Sequence, residues 1–145
     1  MNNTRLDTTS EQNILNMLMD NSIITSDQMS KLNLTSNEIG KSKLETAFEL
    51  NLTNENQILK ILSSNYSLPI IDLQKYKIDQ KIKKVIDTRY IVDHSLVPFE
   101  ISDETLKIAI ADGSKLSLMK NLKTMTKMEP ELYAASISNI NEFIE

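Results

Sequence analysis

The chain has 145 residues, of which 40% are hydrophobic and 25% are charged, a composition typical of a globular protein with its own core. It has no cysteine and one histidine, His94, which excludes disulfides, thiolate catalysis, zinc–thiolate sites and multi-histidine metal sites. The net charge is −4, and no basic stripe accompanies the four tyrosines and three phenylalanines, which argues against a nucleic-acid surface.

The first 75 residues predict a flexible tail and then a helical subdomain. Residues 1–10 are polar and unlike a secretory signal, and no run of 18 apolar residues predicts a transmembrane helix. Apolar residues at helical spacing predict four helices: residues 11–19, a short helix capped by Thr25 or Ser26, residues 41–50, and a helix capped by Thr53. The segment "NLTSNE" (33–38) is typical of a turn.

The helical subdomain, residues 11–75, contains a duplicated unit. The segments "SIITSDQMSKL" and "LNLTNENQILKIL" repeat one pattern, in which a short turn with a threonine joins two helices. Because a helix pair cannot bury its apolar stripe alone, we expect the two helix-turn-helix units to pack on one another.

The second subdomain, residues 76–145, changes pattern after Pro69 ends the fourth helix and "PIIDL" forms a short extended segment. The predicted order is helix, strand, strand, helix, strand, helix, with Leu106, Ile108 and Ile110 on one face of the second strand. The elements are a helix at 80–90, strands at 94–102 and 105–112 around a turn at 102–104, a helix capped by Ser114, an extended segment at 128–136, and a helix capped by Ser138. The fold class is therefore α+β: an all-helical first subdomain followed by a small α/β subdomain with a three-stranded sheet and flanking helices.

The segment "NEIGKSKL" (37–44) contains the last residues of a phosphate-binding loop, Gly40-Lys41-Ser42. The full motif, G-x-x-x-x-G-K-[ST], lies between a strand and a helix. Its first glycine falls at Thr35, and the preceding segment predicts a helix rather than a buried strand. We therefore predict that Gly40 ends a turn and that the lysines are solvated.

Four other features have a functional and a structural interpretation, and the structural one is favoured for each. The lysine-rich segment 75–84 is a solvated helix start rather than a nucleic-acid surface. His94 lies beside Asp93, whose side chain would point to the opposite strand face. Asp112-Gly113 follows a strand, where ligands often bind, but suits a turn. The methionines fill the core rather than a partner groove: Met17, Met19, Met119, Met125 and Met128. We predict no catalytic, cofactor-binding or metal-binding residue.

Four stretches in order resemble the amino-terminal domain of type II secretion ATPases and type IV pilus assembly ATPases. They are the elbows "IITSDQ" and "LTNENQ", "NYSLPIIDL", "YIVDHSLVPFEISDETLKIAIAD", and "LKTMTKMEPELYAASISNINEFIE". The resemblance covers residues 11–145. Two positions depart from it: Ser67 replaces the glycine of a G-L-P motif, and Gly113 replaces the proline of an Asp-Pro.

The resemblance implies a non-catalytic adaptor that docks a motor onto cytoplasmic regions of inner-membrane secretion or pilus platform proteins. The ATPase core, with its ATP and magnesium, would lie downstream in the parent protein, and a hexamer would form only through that core. The resemblance further implies a cytoplasmic domain peripheral to the inner membrane, without nucleic-acid binding or membrane insertion. We expect an exposed apolar docking patch, on the helical half in the first place.

The alternative function is a cyclic di-GMP-binding regulatory domain. Family members that bind this ligand carry a tandem "R-L-G-x-x-L…L…Q" motif, which matches Asn13-Ile14-Leu15 in the first copy, Lys43-Leu44-Glu45 loosely in the second, and Asn65 at the final glutamine. The arginine is missing and lysine does not replace it at a planar site. The glycine is absent from both copies, so the motif is degenerate.

Overall fold

The computed structural model describes residues 8–144, so residues 1–7 of the predicted tail lie outside the described part. Within residues 8–144 the chain forms eight α-helices, three strands and two 3₁₀ helices. These are α1 (Thr8–Asp20), α2 (Ser26–Ile39), α3 (Lys43–Glu49), α4 (Glu55–Tyr66), a 3₁₀ helix (Leu73–Lys75), α5 (Gln80–Lys83), α6 (Thr88–His94), β1 (Leu96–Ser102), β2 (Thr105–Ile110), a 3₁₀ helix (Gly113–Leu118), α7 (Met119–Thr126), β3 (Glu129–Ala134) and α8 (Ile137–Ile144). The predicted fold class, a helical first half followed by a three-stranded sheet with flanking helices, is confirmed.

The sheet has the order β1-β2-β3. β1 and β2 form an antiparallel hairpin whose two-residue turn places Asp103 at φ 56°. β2 and β3 are parallel, which requires a crossover, and the second 3₁₀ helix and α7 supply it. The extended segment after α4 joins this sheet, because Ile70 bridges Ala134 at the end of β3. The boundary predicted between residues 75 and 76 stays a prediction.

One continuous core joins both halves of the molecule. The helical half contributes Ile14, Leu44 and Leu62, each with no exposed surface, and the sheet contributes a fully buried row on β2. Full burial of such a side chain contributes about 1.5–3 kcal/mol. The prediction that this row points inward is confirmed, and it consists of Leu106, Ile108 and Ile110.

Three predicted helix boundaries are wrong. α1 begins at Thr8, so the last three residues of the predicted tail are helical. The predicted turn at 33–38 lies within α2, which continues to Ile39 because no glycine or proline interrupts it before Gly40. The helix predicted at 80–90 is two helices, since Asp87 accepts a hydrogen bond from Arg89 N (3.1 Å) and caps a new helix.

The cap of α8 also differs from the prediction. The hydroxyl of Ser136 accepts a hydrogen bond from Asn139 N (3.1 Å), as an N-cap side chain does. Ser138, the predicted cap, donates its hydroxyl to Glu55 on α4 (2.7 Å). This contact joins the last helix to the helical half.

Candidate functional site

The first elbow connects α1 to α2 through a left-handed residue, Ser22 (φ 61°). Ile23 N donates to Leu18 O (2.9 Å), which turns the chain after α1. Thr25 then forms a capping box with Gln28: its hydroxyl accepts from Gln28 N (3.2 Å), and its own amide donates to the Gln28 side chain (2.9 Å). Thr25, one of the two predicted caps, is therefore the N-cap of α2.

The second elbow repeats this geometry 29 residues later. Asn51 (φ 57°) takes the place of Ser22, and Leu52 N donates to Ala47 O (3.0 Å). Asn54, rather than the predicted Thr53, caps α4 by accepting from Gln57 N (2.9 Å). The duplicated helix-turn-helix unit is therefore present in the hydrogen bonds of the backbone as well as in the sequence.

The second helix of each unit ends in the same way. Gly40 (φ 69°) and Ser67 (φ 53°) are left-handed C-caps whose amides bond Ser36 O and Ser63 O. The hydroxyls of these two serines donate to the carbonyls of residues 41 and 68, both at 2.6 Å. Gly40-Lys41-Ser42 is therefore a helix end and the N-cap of α3, and the preceding segment is a helix rather than the strand that a phosphate loop requires.

The residues aligned with the first cyclic di-GMP motif have structural partners. Ile14 and Leu15 are buried in the core, with 0% and 1% of their surface exposed. Asn13 accepts a hydrogen bond from Gly113 N (3.1 Å), which joins α1 to the segment after β2. Asn13 also lines an open cavity of about 410 Å³ together with other uncharged polar side chains of α1.

The second motif lies at the start of α3. Leu44 is fully buried, and Glu45 donates its amide to Ser42 Oγ (3.1 Å), which caps the helix. Lys43 is partly exposed on the first turn, and Asn65 is exposed near the end of α4. Within residues 8–144 neither copy brings an arginine to these positions.

Asp112 and Gly113 form the junction between the two halves of the molecule. Asp112 is fully buried and caps the following 3₁₀ helix by accepting from Ser114 N (2.9 Å), so the predicted cap at Ser114 is wrong by two residues. Its second carboxylate oxygen lies 3.9 Å from the ammonium of Lys115, which is also buried. Gly113 lies against Tyr66, whose ring atoms would be 2.3 Å from an added Cβ.

His94 ends α6 rather than beginning a strand, so the prediction of a strand from residue 94 is wrong. Its ring lies 4.2 Å from that of Tyr90, one helical turn earlier. Burial raises the pKa of the Tyr90 hydroxyl, and Asn121 acts in the opposite direction. Asp93 is exposed, and His94 is partly exposed.

The lysine-rich segment contains the first 3₁₀ helix and α5, and its lysines are exposed. Met17 is buried, whereas Met125 on α7 is 43% exposed, so the methionines do not all fill the core. Among the residues that the structure describes, no group of acidic or histidine side chains could hold a metal ion. In the same range no helix is long and apolar enough to span a bilayer.

Large exposed apolar side chains occur on both halves of the described chain. They are Leu34, Ile39, Leu50, Ile70, Val92 and Met125. The apolar stripes of the four predicted helices are turned inward, since one residue on each of them has no exposed surface: Ile14, Leu32, Leu44 and Leu62.

The MshEN domain family matches residues 66–145 of the chain. The chain is 29% identical over 91 residues to the type IV pilus assembly ATPase PilB of Myxococcus xanthus, covering 63% of this chain and 16% of that protein. It is 19% identical over 123 residues to the type IV pilus assembly ATPase PilB of Thermus thermophilus, covering 83% of this chain and 14% of that protein. The chain thus spans a small part of the length of these curated relatives.

Two solved structures share the fold. A structure of MshE with cdg superposes with a TM-score of 0.64 at 20% identity, covering 90% of this chain and 95% of that chain. The N-terminal domain of XpsE superposes with a TM-score of 0.64 at 18% identity, covering 93% of each chain. At these identities the superpositions establish the arrangement of helices and strands.

Proposed function

Because the chain belongs to the MshEN domain family of amino-terminal domains in type II secretion and type IV pilus assembly ATPases, we propose that it is a non-catalytic docking adaptor. It holds the parent motor against cytoplasmic regions of inner-membrane secretion or pilus platform proteins. The family match over residues 66–145 carries this proposal. In the parent protein, ATP and magnesium bind a downstream core, and hexamer contacts belong to that core.

The contacts of the candidate residues support a structural rather than a catalytic role. The amide of Gly40 and the carboxylate of Asp112 both complete helix termini. The side-chain oxygen of Asn13 accepts a hydrogen bond from Gly113 N. An adaptor needs such rigidity because a preorganised surface loses less conformational entropy when it binds. The domain acts in the cytoplasm at the face of the inner membrane, without entering it or binding nucleic acid.

A binding measurement tests the adaptor function. The purified chain is titrated with the purified cytoplasmic regions of the platform proteins in a calorimeter, and we expect saturable binding to one of them. A Leu44→Asp chain, which places a charge in the core, serves as the unfolded control. If the folded chain binds none of these regions, the proposal is wrong.

Cyclic di-GMP binding is the second candidate, and one observation favours it. The chain shares its fold with MshE, whose structure was determined with cdg. The missing arginine and the burial of Ile14 and Leu15 oppose it. In a titration with cyclic di-GMP, saturable binding that Lys43→Ala abolishes and Lys31→Ala preserves would favour the sensor. If no heat of binding is observed, the cyclic di-GMP proposal is wrong and the adaptor function is the one that remains.

A further inference from the structure

The segment that follows α4 forms an open groove with the last helix. One cavity of about 770 Å³ includes Ile70 and Tyr76, and a neighbouring one of about 260 Å³ includes Tyr76 and Phe143. Both are lined by Tyr76, so the two cavities form one continuous surface, which we call the α8 groove. Its apolar lining includes Leu59, Ile70, Ile71, Leu73, Tyr76, Ile78 and Phe143.

The α8 groove carries apolar surface that the fold leaves uncovered. Ile70 is 48% exposed although it pairs through its backbone with Ala134. A large apolar side chain held on rigid backbone beside an open cavity is the arrangement of an anchor site in a protein interface. The backbone pairing fixes Ile70, so a partner would not have to order it.

The segment that forms one wall of this groove carries a net positive charge in an otherwise acidic chain, and two of its lysines, Lys75 and Lys83, line the cavities. Residues 72–84 contain five lysines and two aspartates, a net charge of +3 in a chain whose net charge is −4. All five lysines are exposed, and no ion pair within residues 8–144 involves any of them. They are Lys75, Lys77, Lys81, Lys83 and Lys84; Lys83 lies 5.7 Å from the ring centroid of Phe143.

The carboxylates at the same surface already have donors within the chain. Asp72 accepts from Gln74 N (3.0 Å) and Asp79 accepts from Ile82 N (3.0 Å), each capping a short helix. Glu142 accepts from the Gln74 amide (3.2 Å). A neutral amide donor leaves a carboxylate charged, so these three carboxylates offset part of the positive charge, and together with the five lysines they give this surface a net charge of +2.

We propose that the α8 groove binds an acidic segment of a platform protein that inserts apolar side chains beside Ile70 while its carboxylates face the surrounding lysines. This inference rests on the proposed docking function and assigns it a surface and a partner chemistry. Apolar anchors supply affinity, and opposite charge supplies specificity and a faster association rate. The binding should therefore weaken as salt concentration rises.

The test uses the full chain and short overlapping peptides that cover the cytoplasmic regions of the platform proteins, with binding followed by fluorescence anisotropy. We expect binding of acidic, apolar peptides and at least a tenfold weaker affinity for the Ile70→Ser variant and for the Lys75→Glu/Lys83→Glu variant. Matched controls are Leu34→Ser, at the most exposed large apolar residue of the described chain, and Lys31→Glu/Lys120→Glu. These controls should bind within twofold of the unchanged chain.

The outcomes separate the groove from the docking function itself. If the chain binds the platform regions and the groove variants bind equally well, the groove assignment is wrong and the adaptor function stands. If no platform region binds, both are wrong. Preference for lysine-substituted versions of the peptides, or lysine-dependent binding to phosphatidylglycerol vesicles in place of peptides, would also overturn the groove assignment.

Discussion

Replacing Ser67 with glycine is expected to stabilise the protein. Ser67 ends α4 in the left-handed conformation, with φ 53° and ψ 44°, and its side chain is exposed. A residue with a Cβ atom resists this conformation, whereas glycine adopts it freely. Gly40 shows the alternative within the same chain, because it ends α2 with φ 69° and the same backbone hydrogen bond.

The expected gain follows from two opposing contributions. The left-handed conformation costs a residue with a Cβ roughly 1–2 kcal/mol. The substitution relieves this cost, but the greater freedom of glycine in the unfolded chain reduces the gain by about 0.4–1 kcal/mol. Ser67→Gly should therefore raise the free energy of unfolding by about 1 kcal/mol, which corresponds to about 3 °C in melting temperature for a domain of this size.

The reverse substitution provides the matched control. A Cβ added at Gly40 would have no atom within 4 Å, so Gly40→Ala introduces backbone strain without a steric clash. We expect it to lower the free energy of unfolding by about 1 kcal/mol. Urea unfolding followed by far-UV circular dichroism measures both variants, and equal slopes would show that only stability changed.

The reasoning is refuted if Ser67→Gly leaves the urea midpoint unchanged or lowers it while Gly40→Ala lowers it. That result would mean that serine at the end of α4 carries no conformational cost. A Ser63→Ala variant then tests whether the Ser63 hydroxyl stabilises this helix end. It removes the hydroxyl that donates to Leu68 O (2.6 Å) and leaves the cap residue itself in place.

Three further substitutions or conditions test the junction and the sheet. Gly113→Ala should destabilise the chain by about 2 kcal/mol, because its Cβ would meet the Tyr66 ring at 2.3 Å, and the loss should shrink in a Tyr66→Ala background when measured as a double-mutant cycle. Asp112→Ala should lower the free energy of unfolding by about 0.5–2 kcal/mol in urea, because the buried carboxylate caps the second 3₁₀ helix by accepting from Ser114 N (2.9 Å); an unchanged urea midpoint would contradict this. The hydrogen bond to Glu131, together with burial, raises the pKa of Tyr133 above its ordinary value of 10.0. The neutral Tyr133 hydroxyl therefore contributes fully to the free energy of unfolding below about pH 10, and this contribution is lost as the pH rises through the folded pKa. In melting curves measured at increasing pH, Tyr133→Phe should reduce the fall in melting temperature.

Periodicity predicted the elements that carry the core. Leu44 and Leu62 are buried on helices that the spacing of apolar residues predicted, and the alternation in β2 placed Ile108 correctly, because burial repeats with the period of the helix or strand. The pattern could not choose between neighbouring cap residues. Thr53 and Asn54 both suit an N-cap, and only the backbone conformation decides that Asn54 is the cap.

Contacts between distant residues explain most of what the sequence did not reveal. Asn13 reaches Gly113 across 100 residues of sequence, and Tyr66 packs on the same glycine from α4. The sequence suggested a turn at Asp112-Gly113 but carried no signal for these partners. The predicted helix at 80–90 is divided because Asp87 caps a new helix with its side chain instead of continuing the first one. The helix-forming residues around Asp87 gave no sign of this break in the sequence.

The duplication also explains why the groove lies where it does. After the C-cap at Gly40 the first unit continues directly into α3, which contacts α2. After the equivalent cap at Ser67 the chain does not begin a helix but extends, and Ile70 pairs with Ala134. The second unit thus ends without a covering helix, and Ile70 is left exposed beside the lysine-rich segment.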